Sequence, residues 1–234
     1  MTSQEYKAHF DPQMQEFCEK NGIHFYPWIG ADYCNSQPKI LLLGESYYLD
    51  EWNPDGRFDW DITKDASPLA IRKYLGEEPT NNYKVETKEF ITHDKASRVL
   101  LGITGRRVSI NERRTLWHSV AYTVFIQNSF RKKVADSSAF TKEEIEKDAI
   151  ILDAILAEYK PNLVISYSNS IQKQIADHPQ IIKIPSNANG KTLTCYLWKR
   201  SGIQFMGIPH PSILRSNMSI MNLHSLYLSL FYQE

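Results

Sequence analysis

Residues 40–44 constrain this chain more than any other stretch. Ile40, Leu41, Leu42 and Leu43 run without a polar break and end at Gly44. A strand with one wet face would alternate apolar and polar residues. A short, wholly apolar run closed by glycine reads instead as a strand buried on both faces, as in a parallel sheet. Parallel strands need long, usually helical crossovers, so the chain is expected to be an α/β protein. The same run says where to look for chemistry, because ligands of open α/β sheets bind beyond the carboxyl ends of the strands. Gly44, Glu45, Ser46, Tyr47 and Tyr48 occupy that place. Gly44 permits a sharp turn and close approach of the backbone to a ligand. Glu45 offers a carboxylate, Ser46 a hydroxyl, and the two tyrosines offer stacking faces. A plain strand-to-loop exit with Glu45 in solvent fits these residues equally well.

The rest of the chain supports alternation of helix and strand. Thr141 and Glu144 form a capping box, and Ile145, Ala149, Leu152, Leu156 and Tyr159 make one apolar stripe, which predicts a helix over 141–159. Pro161 ends it, residues 162–167 read as a buried strand, and a helix follows over 168–177. Ser109 and Glu112 form a second capping box, ahead of a strand over 120–127. Further strands are expected over 192–198 and 202–208, and a last helix over 218–232 capped by Asn217. An amphipathic helix over 4–20 opens the chain, and helices over 68–75 and 87–101 read as part of an insertion spanning about residues 50–110. No repeat or linker divides the chain, so residues 1–234 are read as one domain.

Charge and cysteine usage narrow the function classes. The 27 basic and 27 acidic residues cancel, so no global field draws the protein onto nucleic acid, and such binding needs a local patch. Arg131, Lys132 and Lys133 form one basic cluster, which suits a solvated loop as well as a phosphate contact. Cys18, Cys34 and Cys195 give neither a disulfide framework nor a metal clip, and no cofactor is expected. With no apolar leader and no run long enough to span a bilayer, a cytoplasmic protein without a membrane partner is expected.

A second loop matches the first in position. Pro209, His210, Pro211, Ser212, Ile213, Leu214 and Arg215 follow a predicted strand. The prolines restrict the backbone around His210 and fix its direction. An imidazole held in this way can donate a hydrogen bond to an oxygen that gains charge during a reaction. Ser212 and the amides after Pro211 offer contacts to a phosphate. A rigid turn with a surface histidine is the plainer reading of the same residues.

Taken together, a strand ending in Gly44-Glu45 and a late strand followed by His210-Pro211-Ser212 resemble the uracil-DNA glycosylase superfamily, over roughly residues 38–232. The resemblance implies a three-layer α/β/α sandwich around a mostly parallel four-stranded sheet. It also implies a DNA repair hydrolase that flips a uracil-like or otherwise modified base out of the stack and cleaves its N-glycosidic bond. By that resemblance Glu45 orients water and offsets the positive sugar, and His210 stabilises the departing base anion. Gly44, Ser46, Tyr47, Tyr48 and Asn128 would line the substrate site. Ser212 and Arg215 would touch DNA phosphates, and Leu214 would wedge into the vacated stack. The sequence departs from the best-known members at Ser46, where they carry Asp, and at Tyr47, where they carry Pro. Val124 stands nearest to the Asn that many of them use to read uracil, with Asn128 four residues later. These departures leave open a non-catalytic protein that binds nucleic acid or a nucleotide in the same pocket. A monomer is expected in either case.

Overall fold

The structure, a computed structural model, describes residues 12–45, 66–77, 90–127, 141–167, 169–187 and 189–231. Seven α-helices and seven strands are present among them. In chain order these are α1 (Pro12–Lys20), β1 (Trp28–Ile29), β2 (Ile40–Gly44), α2 (Ala66–Tyr74), α3 (Ile91–Leu101), α4 (Ile110–Ser119), β3 (Val120–Val124), α5 (Lys142–Tyr159), β4 (Leu163–Ser166), α6 (Asn169–Ile175), β5 (Gln180–Pro185), β6 (Thr192–Arg200), β7 (Ile203–Gly207) and α7 (Asn217–Ser229).

The α/β class expected from the sequence is observed, on a larger sheet than the expected four strands. One seven-stranded sheet runs in the order β1-β3-β2-β4-β7-β6-β5. β3, β2, β4 and β7 pair in parallel, whereas β1, β6 and β5 add antiparallel partners toward the two edges. β2 lies inside the parallel block, with Leu41 opposite Ala121 on one side and Val164 on the other. Its continuous apolar run follows from that position, because both of its faces are covered. Ile40 and Leu42 join a core cluster with Ile71, Tyr74, Val99, Trp117 and Leu223, drawn from α2, α3, α4 and α7. Leu41 and Leu43 point the other way, into a cluster with Cys18, Ile151, Ile155, Leu156 and Ile171, drawn from α1, α5 and α6. Helices therefore cover both faces, and α2, α3 and α4, which fall in or beside the expected insertion, contribute directly to the core.

Both capping boxes form. The Ser109 side chain accepts from the Glu112 amide while the Glu112 carboxylate accepts from the Ser109 amide, and Thr141 and Glu144 do the same. The cap of α7 differs from expectation. Ser216 is its N-cap, accepting from the Ser219 amide at 3.0 Å. Asn217 instead accepts from the Gly105 amide at 3.1 Å and from Arg98 Nη2 at 3.2 Å, so it ties two segments together.

Candidate active site

The site is built from what leaves the carboxyl ends of the parallel strands. Pairing between β2 and β3 continues one step past the strands, as Phe125 and Ile126 donate their amides to the carbonyls of Gly44 and Glu45 at 3.0 and 2.9 Å. Glu45 is therefore held by its backbone, with a half-buried side chain. Gly44 is required by close approach. A Cβ there would lie 2.8 Å from Tyr122 Oη and 3.3 Å from Val124 Cγ1. Ser46, Tyr47, Tyr48 and Asn128 lie outside the described residues, as do Arg131, Lys132 and Lys133. Gln127, next to Asn128, is occupied in supporting the fold. Its Oε1 accepts from the amides of His24 and Phe25 at 3.0 and 2.8 Å, and its Nε2 donates to the Val124 carbonyl at 2.7 Å.

The exit of β7 is fixed from below. Gln172 is fully buried and donates through Nε2 to the carbonyls of Ser166 and Ile208 at 2.8 and 2.9 Å. The chain then passes Pro209 to a half-buried His210. Burial lowers the His210 pKa below the usual imidazole value; the Glu45 charge raises it and Lys95 lowers it. β2 and β7 pair in parallel with β4 on either side, so Glu45 and His210 leave the same edge of the sheet, one strand apart. The net shift favours a neutral imidazole at physiological pH, which is a hydrogen-bond donor with no charge of its own.

The loop after His210 is tightly turned. Pro211–Ile213 forms a single 3-10 turn in which the amides of Ile213 and Leu214 donate to the carbonyls of His210 and Pro211, both at 3.0 Å. Those two amides are spent inside the turn and are not free to hold a phosphate. Leu214 is 2% exposed and belongs to the main core cluster, so in this conformation it does not project as a wedge. The exposed apolar side chain of the turn is Ile213, at 53%. Arg215 is exposed, as a phosphate contact requires; for Ser212 the structure describes the backbone only.

Sequence reasoning missed a cluster of aromatic rings around His93. His93 of α3 is buried, and its ring stands edge-on to Trp117 at 5.2 Å and to Tyr122 at 5.6 Å, with Tyr74 at 5.8 Å. Burial, with His210 as the second cause, lowers the His93 pKa to about 4, so this imidazole is neutral. Among the described residues its Nδ1 has no hydrogen-bond partner, and neither has the buried hydroxyl of Tyr167, which follows β4. A buried polar atom left unpaired costs about 1–3 kcal/mol, and such atoms gather where a ligand or water completes the set. Tyr74 and Trp117 share the Ser97 hydroxyl, at 3.3 and 2.9 Å, which fixes their rings. His93 lies in a helix with no recognisable pattern around it, and only the three-dimensional packing brings it to the site.

In chemical terms the carboxyl ends of the parallel strands offer a carboxylate, a neutral imidazole and, beside them, aromatic rings with polar atoms that have no hydrogen-bond partner among the described residues. No group of three or more His, Cys, Asp or Glu side chains among the described residues could hold a metal ion. Among the same residues no helix is long and apolar enough to cross a membrane. No protein-family model matches the chain, and no curated protein matches it by sequence.

Proposed function

We propose that this protein is a DNA glycosylase-like hydrolase of the uracil-DNA glycosylase type, cleaving the N-glycosidic bond of a flipped, modified base. The observation that carries the reading is that β2 and β7 flank β4 in parallel, so Glu45, at the end of β2, and His210, after β7, leave the same edge of the sheet, where the Glu45 charge acts on the imidazole. Base release separates charge: the sugar becomes cationic and the base leaves as an anion. A carboxylate on the sugar side lowers the first cost and positions the attacking water. A neutral imidazole on the base side donates a hydrogen bond to the oxygen that gains charge, without drawing Glu45 into a permanent ion pair. The parallel block β3-β2-β4-β7, with helices on both faces, supports the reading.

The test is release of base from oligonucleotides carrying uracil or hypoxanthine. Glu45→Gln and His210→Ala are each expected to lower the rate by about 10²–10⁴-fold while leaving the fold intact. Wild-type protein that yields neither free base nor abasic sites rules out the activity. Burial of Leu214 favours a second reading. A protein with no projecting wedge at that position suits a single strand or a free nucleotide, bound without cleavage. Saturable binding of the modified oligonucleotide with no product would support it.

A further inference from the structure

Two buried side chains around the end of β2 carry a polar atom with no hydrogen-bond partner among the described residues: His93, at Nδ1, and Tyr167, at its hydroxyl. They are 8% and 2% exposed. Strand register places Tyr167. Ser166 pairs with Leu43, and the Tyr167 amide donates to the Leu43 carbonyl at 3.0 Å, so Tyr167 stands beside Gly44. On the other side of Gly44, β3 brings the Tyr122 phenol so close that only a glycine fits. Tyr122 and Tyr167 belong to one core cluster, on the face of the sheet that α3 covers. Two tyrosines thus flank the residue that precedes Glu45. Ring packing places His93. Its imidazole stands edge-on to Trp117 at 5.2 Å and to Tyr122 at 5.6 Å. The helix that carries it, α3, also packs against the turn at Pro211–Ile213 that follows His210.

An unpaired polar atom in a packed core lowers stability, and two of them beside the strand end that presents Glu45 point to a partner that arrives with the ligand. A phenol donates a hydrogen bond, and the ring nitrogen of a neutral imidazole takes either role. The lactam edge of a base, a ring carbonyl next to a ring N–H, presents one acceptor and one donor to such a pair. We propose that Tyr167 and His93 are specificity-determining residues that read this edge, Tyr167 donating to the carbonyl oxygen and His93 Nδ1 accepting from the ring N–H. Burial raises the Tyr167 pKa well above the ordinary phenol value and lowers that of His93 to about 4, so neither reader carries a charge that would compete for Glu45. The rings packed around His93 fix its orientation before a ligand arrives. The inference rests on the nucleic-acid reading above and deepens it, by naming the class of base and two residues outside both motif loops that select it.

The experiment compares binding of two labelled single-stranded oligodeoxynucleotides. One carries a single deoxypseudouridine, which keeps the lactam edge of uracil. The other carries a difluorophenyl nucleotide of similar shape with no hydrogen-bonding edge. Both are joined to the sugar by a carbon–carbon bond, so neither is cleaved. The wild type is expected to prefer deoxypseudouridine by about 10–100-fold, since a site built to hydrogen-bond rejects an analogue that leaves its groups unpaired. Tyr167→Phe keeps the ring and removes only the hydroxyl. It should lower the preference by about 5–10-fold, with a melting temperature of the unliganded protein at or above that of the wild type. His93→Leu should lower the preference by a similar factor; should it fail to fold, Tyr167→Phe decides alone. No preference in the wild type, no binding of either oligonucleotide, or an unchanged preference in Tyr167→Phe overturns the assignment. A lower melting temperature in Tyr167→Phe also overturns it, because the hydroxyl would then be bonded without a ligand. Release of uracil by the wild type, assayed in parallel, keeps the two proposals apart. Release with an unchanged preference removes the reading pair and leaves the glycosylase; a lowered preference without release keeps the pair and removes the enzyme.

Discussion

Gly44 and Tyr122 stand against each other on neighbouring parallel strands, so closely that a Cβ on Gly44 would lie 2.8 Å from Tyr122 Oη. The glycine before Glu45 is therefore needed by the wall of the site, and Tyr122 links it to the ring of His93. Gly44→Ala is expected to destabilise the protein by about 1–3 kcal/mol, because the tyrosine must move within a packed core. Tyr122→Phe removes the atom that clashes, so the double variant should recover part of the loss. Urea denaturation of the four proteins measures the coupling, and strict additivity would show that the contact does not matter.

His93 makes stability depend on pH in a defined direction. Its folded pKa is lowered to about 4, chiefly by burial and then by His210. The unfolded chain, with an ordinary value of about 6.5, binds the proton more readily between these limits. Stability is then full above about pH 6.5 and is lost as pH falls toward 4, by about 3 kcal/mol for this one group. The lowered pKa of His210 acts in the same direction. Denaturation across pH 4–7 should show this slope in the wild type and a shallower one in His93→Gln.

The turn at Pro211–Ile213 separates two neighbouring apolar residues by role. Leu214 is core, and Leu214→Ala should cost about 2–5 kcal/mol in unfolding free energy. Ile213 is exposed, and Ile213→Ser should change stability by no more than about 0.5 kcal/mol. If this turn inserts into a duplex as it stands, Ile213→Ser weakens binding to a duplex with a mismatched base and spares binding to a single strand. Comparing the two affinities decides the point.

Much of this arrangement is legible in the sequence, for reasons that can be named. β2 announces itself because a strand buried on both faces has no polar positions, and the helices α4 and α5 because their capping boxes are local chemistry. The edge strand β5 carries no such signal: its residues are largely exposed, and it ends in Pro185, which an edge tolerates and a central strand does not. The two motif loops can be located because each follows a strand that can be read. His93, Tyr122 and Tyr167 cannot be found in that way. Each looks like an ordinary core residue in its own segment, and only the pairing of β2 with β3 and β4, and the packing of α3 over them, makes them neighbours. The burial of Leu214 is likewise invisible, since one residue of phase in a 3-10 turn decides which side chain faces out.

The account depends on Glu45 and His210 sharing one crevice, and the titration of His210 tests this most directly. Imidazole resonances followed by NMR across pH 4–9 in the wild type and in Glu45→Gln give the result. The carboxylate charge raises the His210 pKa against the effects of burial and Lys95, so its removal should move the His210 midpoint further down. A His210 midpoint that is the same in both proteins would contradict the account.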